Sequence, residues 1–376
     1  MNLLRTTLNF FRRLQDVFTE PKLAIFGNKT PYADENTFIV WEPCSKSHAE
    51  VVPGYAKHLL DLGYNVSVVV NPKFIREGLF SRFKNPRLHI NAIPRGAAKA
   101  IFSSRGLGKA LGIMVTTAGK LASQRNFEAE RTFFREDFRK KKILFVEHKL
   151  NLAFDSGHFE PDLITLRQMD YKSAPSIPVN PNYFGEIRNH EKNSDIIKFV
   201  TVGSLQEHRR NNSTILNAAE KLVNRGIKNF RIIIIGKGNL HGVPKVLEKH
   251  IELSGTLPFA RMFDKIEESD FFLTAYELPK HSRYITSGTS GSFQLIYGFL
   301  KPCIINSDFA AINKFDTENS IIYRTSEEYA DAMERAIKMD SKSYAEMRSA
   351  LSETVSQINA ESLSNLRNAI HKNEQR

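Results

Sequence analysis

From Thr37 onward, short apolar runs alternate with stretches of helical spacing. TFIVW is followed by the polar EPCSKSHAEVVPG, then by YAKHLLDLG and YNVSVVV. In the helical stretch Tyr55, His58, Leu59 and Leu62 recur at three- and four-residue spacing, and Gly63 suits the position just past a helix end. This is a βαβ opening. Further strands are expected at residues 88–93, 112–116, 142–146 and 163–165, separated by helix-permissive or irregular stretches. Runs this short and this apolar predict a parallel sheet covered on both faces. The segment SAPSIPVNPNYFGEIRNHEKNSD, with Pro175, Pro178, Pro181 and Gly185, then reads as a connection between domains. A second series follows: IIKFVTVG, a helix over 213–225 closed by Gly226, FRIIIIG, helices near 243–250 and 259–268 around IELSG, DFFLTAY, a helix near 290–300, PCIIN and SIIYR. A capping box at Thr325 and Glu328 opens the next helix, and helical sequence runs from Ser341 almost to the end. The expected architecture is α/β with two Rossmann-like parallel-sheet domains, 1–180 and 197–340. A helical segment, 341–376, is expected to pack back toward the first domain.

Composition narrows the class. A chain of 376 residues suits two domains with ordinary cores. Its two cysteines, Cys44 and Cys303, stand far apart without zinc-like spacing, which fits a reducing compartment. No apolar run approaches the roughly 20 residues of a membrane span, and the N-terminus lacks the unbroken apolar core of a secretory signal. A cytoplasmic location is expected. The net charge of +12 suits nucleic acid, an anionic membrane face or phosphorylated ligands. Between Arg95 and Lys149 there are 13 Lys/Arg against five Asp/Glu, concentrated in RTFFREDFRKKK. Leu3, Leu4, Leu8, Phe11, Leu14 and Phe18 share one side of a helical wheel. Two readings of that N-terminal stretch stand: an interfacial membrane helix, or a terminal helix packed on the body. No nucleic-acid motif accompanies the basic residues, so nucleic acid is not an expected partner.

Ligands of such folds sit at the carboxyl ends of the strands, so the loops that follow strands carry the candidate chemistry. TVGSLQEHRRNN ends a strand at Gly203 and delivers Arg209 and Arg210 before a helix, a placement suited to a diphosphate or to a solvated cap. The loop Ser287, Gly288, Thr289, Ser290, Gly291, Ser292 leads straight into an apolar helix and offers amide N–H groups and hydroxyls to an anion. Neither a Walker loop nor a GxGxxG fingerprint is present. Gly236 and Gly238 follow a buried strand, where glycines also serve the turn alone. From the first half, Ser47, His48 and Glu50 follow one strand, and Glu147 and His148 another. Strand-end histidines can hold a sugar hydroxyl or move a proton near neutral pH. The absence of Asp-x-Asp disfavours a metal-dependent site, so no metal is expected.

These segments resemble the GT-B glycosyltransferases, most of all the GT4 group of nucleotide-sugar-dependent enzymes. The likeness is clearest from Phe199 to Met339, through FVTVGS, RRN, IIIIGKG, IELSGTLPF, ESDFFLTAYE and GSFQLIYGFLKPCIIN, and AEVVPGYAKHLLDLGYNVSVVV resembles the family's first βαβ unit. The resemblance implies a nucleotide-sugar site in the second domain and an acceptor site in the first. Arg209 or Arg210 then matches the family's diphosphate-binding lysine, and Thr256, Leu257 and the residues to Phe259 match its nucleobase loop. Thr286–Ser292 matches its phosphate loop, His148 its sugar-contacting histidine, and Ser47–Glu50 its first glycine-rich loop. The family's Glu-x7-Glu pair is not kept: Ser287 or Thr286 stands at the first position and Leu295 or Gln294 at the second. The implied activity is transfer from a nucleoside-diphosphate sugar, a substrate rather than a cofactor, to a glycan or lipid-linked acceptor of surface polysaccharide synthesis. The amphipathic N-terminal stretch and the basic excess before Lys149 add an anionic membrane surface as a candidate partner. A sugar-nucleotide epimerase using Glu50, Glu147 and Glu277, and a non-catalytic nucleotide- or carbohydrate-binding protein, are the alternatives.

Overall fold

The computed structural model describes residues 31–44, 48–118, 141–155, 163–188, 191–192, 195–240 and 242–372. The N-terminal amphipathic stretch, Ser47 and most of the basic run 131–142 lie outside them. Seven parallel strands form the first sheet: β1 (Thr37–Trp41), β2 (Asn65–Val70), β3 (Leu88–Ala92), β4 (Gly112–Val115), β5 (Lys142–Glu147), β6 (Ile164–Thr165) and β7 (Ile177–Pro178). Their spatial order is 3-2-1-4-5-6-7. The second sheet holds β8 (Ile197–Val202), β9 (Phe230–Ile235), β10 (Ile251–Gly255), β11 (Phe271–Leu273), β12 (Cys303–Asn306) and β13 (Ile321–Tyr323), in the order 10-9-8-11-12-13 and again parallel. Chain direction across each sheet therefore reverses beside β1 and beside β8. Two crevices open at those switch points.

The helices of the first half are α1 (Val52–Asp61), α2 (Pro72–Arg76), α3 (Arg95–Arg105) and α4 (Leu150–Asp155). Those of the second are α5 (Asn212–Asn224), α6 (Phe259–Glu267), α7 (Arg283–Thr286), α8 (Gly291–Phe299), α9 (Ser307–Ala310), α10 (Tyr329–Lys338) and α11 (Ser341–His371). Strand side chains alternate faces, so each sheet divides its apolar residues between two cores. Phe38, Val40, Val66 and Val68 of the first sheet join Val200, Ile233, Phe272 and Ile305 of the second in one core that spans both domains. Ile39, Trp41 and Ile113 face α3 instead, and Phe199, Ile232 and Ile304 face α5 and α10.

Phe184, in the connecting segment, stacks on Phe299 with ring centroids 5.6 Å apart and lies the same distance from Phe263. Arg82 of the first domain pairs with Asp264 at 2.6 Å and Glu267 at 3.0 Å on α6, and Arg188 of the connection reaches Glu267 at 2.6 Å. The helix α11 starts on the second domain, where the Tyr344 hydroxyl donates to the Asp270 carbonyl at 2.9 Å. It ends against the first: Asn365 donates to the Pro178 carbonyl at 2.9 Å, and the Asn180 amide donates to Ser362 Oγ at 3.0 Å.

Three local expectations change. The helix expected near 243–250 is a single 3-10 turn at Lys245–Leu247, because Pro244 at ψ 140° holds the preceding chain extended. The proline-rich connection contributes β7, since Ile177 and Val179 donate to the carbonyls of Leu163 and Thr165 at 2.9 and 2.8 Å. The capping box does not form: Thr325 makes no side-chain cap, and Glu328 accepts from the Arg324 amide at 2.9 Å instead of that of Thr325.

Candidate functional site

On the first sheet the crevice lies past β1, β4 and β5. Glu42 follows β1 directly and is 2% exposed. Its Oε2 lies 2.9 Å from Thr116 Oγ1 and 2.7 Å from Thr117 Oγ1, while Oε1 accepts the Cys44 amide at 2.5 Å. Thr116 Oγ1 is also 3.2 Å from the Trp41 carbonyl, and a hydroxyl has one proton to give. A protonated Glu42 donating to Thr116 satisfies both bonds. Consistent with this, burial pushes the Glu42 carboxyl up to about 8 against the pull of its hydrogen bonds.

His148 follows β5. Its Nε2 is 2.8 Å from the Thr116 carbonyl, which can only accept, so Nε2 carries the proton and Nδ1 keeps its lone pair. Burial, and then the charge of His48, hold the imidazole down to about 3, so it is neutral at pH 7. His48 stands edge-on with ring centroids 4.5 Å away, on a backbone at φ 72° that turns the loop into the 3-10 turn before α1. Glu147 binds the amides of His148 and Lys149 at 2.8 and 3.0 Å. Burial raises the Glu50 carboxyl against the pull of backbone hydrogen bonds.

The second crevice lies past β8 and β11. Arg210 is 5% exposed, and its Nη1 donates to Thr201 Oγ1 at 2.6 Å. Its Nη2 donates to Ser292 Oγ at 2.8 Å and to the Tyr276 hydroxyl at 3.1 Å, and Nε has no partner among the described residues. Ser290 caps α8 by accepting the Ser292 amide and sits 2.5 Å from the Tyr276 hydroxyl. Burial alone would raise the Tyr276 phenol, but the Arg210 charge and the serine hydroxyls outweigh it and its pKa is lowered. A buried cation, a helix N-terminus with orphan amides and two serine hydroxyls therefore share one spot, an arrangement that attracts an anion.

The two crevices meet, since a Cβ at Gly291 would stand 3.5 Å from Glu50 Oε1. His48, Glu50, His148, Arg210 and the 287–292 loop are thus gathered around one cleft. Arg209 is not among them; its side chain is exposed, one residue from the buried Arg210. Thr256 is exposed too, whereas Leu257 packs on the interdomain core. Gln294 is 1% exposed and its Oε1 has no partner among the described residues. Glu277 is engaged elsewhere, by Asn211, Thr214 and Ser326. Tyr276, Glu42 and Thr116 escape sequence reading; for Glu42 and Thr116 the available signal was a polar residue directly after an apolar strand.

Gly203 and Gly236 serve the backbone. A Cβ at Gly236 would lie 1.6 Å from the Gly203 carbonyl oxygen, so β8 and β9 can approach only as they do with glycine there. Gly236→Ala is expected to destabilise the chain by about 1–3 kcal/mol or more, as overpacking against backbone does. Urea denaturation checks this, and an unchanged midpoint would contradict it.

No protein-family model matches the chain, and no curated protein matches it in sequence. Solved structures do. An α-glucosyltransferase in complex with UDP and a 13-mer DNA containing a HMU base superposes with a TM-score of 0.58 at 9% identity, covering 89% of this chain and 99% of that one. The lipopolysaccharide outer core galactosyltransferase WaaB, in its apo form, gives 0.49 at 12% identity over 89% and 99%. The pneumococcal O-GlcNAc transferase GtfA, in complex with UDP and GlcNAc, gives 0.47 at 12% identity over 74% of this chain, which spans 60% of its length. With its strand orders and the helix that returns to the first domain, the chain has the GT-B fold, two parallel-sheet α/β domains facing a central cleft.

Proposed function

We propose that the chain is a glycosyltransferase that moves a sugar from a nucleoside-diphosphate donor, held by the second domain, to a hydroxyl of a glycan or lipid-linked acceptor held by the first. One observation carries the reading: the buried Arg210 at the N-terminus of α8 faces a histidine and carboxyl cluster across the cleft. In the reaction the bond from the anomeric carbon to the diphosphate oxygen breaks, a bond to the acceptor oxygen forms, and the acceptor hydroxyl loses its proton. Charge develops on the departing diphosphate, where the Arg210 guanidinium and the first-turn amides of α8 stabilise it. The Glu50 carboxyl, raised by burial, is the group on the acceptor side able to hold the released proton, while the neutral His148 offers its Nδ1 lone pair to a substrate hydroxyl.

The GT4-like placement rests on the quoted motifs, and the lost glutamate pair makes it a divergent branch whose ribose contacts come from other groups. A lipid-linked acceptor would bring the protein to an anionic membrane face. No helix among the described residues is long and apolar enough to cross a membrane. The epimerase alternative is weakened, because Glu277 is tied up by Asn211, Thr214 and Ser326 and Glu147 caps backbone amides.

Thermal stabilisation across UDP, GDP, CMP, ADP and their common sugars tests the reading. A ligand that binds only the folded chain stabilises it by about 2.7 kcal/mol at a hundred times its Kd, so one base is expected to raise the melting temperature selectively. Donor turnover that needs an added glycan separates a transferase from a binding protein. No response to any nucleotide would overturn the proposal.

A further inference from the structure

Arg167 follows β6 at the carboxyl edge of the first sheet, yet its guanidinium serves the second domain. Nη2 donates to the carbonyls of Tyr284, Ile285 and Gly288 at 2.6, 2.8 and 2.8 Å, and Nη1 donates to the Gln168 carbonyl at 2.5 Å. The Leu150 amide donates to the Ser287 carbonyl at 2.7 Å. Four of the five carbonyls from 284 to 288 are therefore held by donors of the first domain. Two residues further on, Ser290 caps α8 and touches Tyr276, which in turn accepts from Arg210.

The helix α7 has only four residues and cannot hold this loop by itself. No carboxylate among the described residues pairs with Arg167, so carbonyl dipoles alone compensate its partly buried charge. A neighbouring anion would complete that compensation.

We propose that Arg167 is a positioning residue through which the first domain shapes the Ser/Gly loop of the second, so that the loop takes its anion-binding form when the domains are docked. The inference rests on the nucleotide site proposed above and adds a coupling to it. Domain docking favours donor binding and, by reciprocity, donor binding favours docking.

Calorimetric titration with UDP, with GDP and ADP in parallel, tests this on the parent, Arg167→Ala and Arg167→Lys. Arg167→Ala is expected to bind about ten- to a hundred-fold more weakly, the usual span of such couplings. Millimolar methylguanidinium should restore most of that loss, which it would not do for a general loss of fold. Arg167→Lys keeps the charge without the planar fork and is expected to bind several-fold more weakly at an unchanged melting temperature. If Arg167→Ala fails to fold, that variant decides. Parent-like affinity in the folded variants, or a loss in folded Arg167→Ala that methylguanidinium leaves in place, overturns the positioning role and leaves the nucleotide site standing. A parent that binds none of the three nucleotides overturns the site as well.

Discussion

Arg210→Ala is expected to lower affinity for the nucleoside diphosphate by about a hundred-fold or more. The guanidinium has five N–H groups, and three bonds to Thr201, Tyr276 and Ser292 fix its plane. That leaves Nε–H and one Nη1–H for a phosphate, and charge-assisted bonds contribute about 1.5–3 kcal/mol each. Two of them exceed the roughly 2.8 kcal/mol of a hundred-fold change. Arg210→Lys should fall between, since an ammonium supplies charge without the fork. The Tyr276 phenol gives a second readout that needs no ligand. Its pKa is lowered although burial raises it, so removing the Arg210 charge should send it upward in an ultraviolet pH titration. Unchanged nucleotide affinity in a folded Arg210→Ala variant would refute the donor-site assignment.

Arg210 also shows how much the sequence discloses. The dipeptide Arg209-Arg210 after a strand-ending glycine announces a cation at a helix start, but not which arginine turns inward. That choice is made by Thr201, Tyr276 and Ser292, the last two 66 and 82 residues away. The parallel strands were legible because strands buried on both faces must be apolar throughout, as TFIVW and FRIIII nearly are. His48 and His148 could be suspected for the same reason, since each follows such a strand. Arg167 could not be. Its partners lie 117 to 121 residues on, in the other domain, and are backbone carbonyls that carry no side-chain signature. Glu42 shares that obscurity, because its environment is created by Thr116 and Thr117, just past a strand that only the fold brings alongside.

For Glu42 the expected result is a stability difference that grows with pH. Its folded-state pKa of about 8 lies above the ordinary 4.5, so the native chain holds this proton more tightly than the unfolded chain does. The stabilisation is complete below about pH 4.5 and is lost as pH rises through about 8. At about 1.4 kcal/mol per pKa unit the whole effect is roughly 3–5 kcal/mol. His148 acts in the opposite sense: held near 3, it costs stability as pH falls below its ordinary 6.5. The parent's own profile therefore mixes two trends, and a difference between variants isolates one. Glu42→Gln keeps the shape, lets Oε1 accept the Cys44 amide and lets Nε2 donate to a threonine hydroxyl, as the protonated carboxyl does. Urea midpoints of the two proteins should nearly coincide at pH 5, and the variant should become the more stable by several kcal/mol at pH 9. Parallel profiles from pH 5 to 9 would mean that Glu42 is ionised in the native chain, with Thr116 donating to it and the Trp41 carbonyl left without that bond.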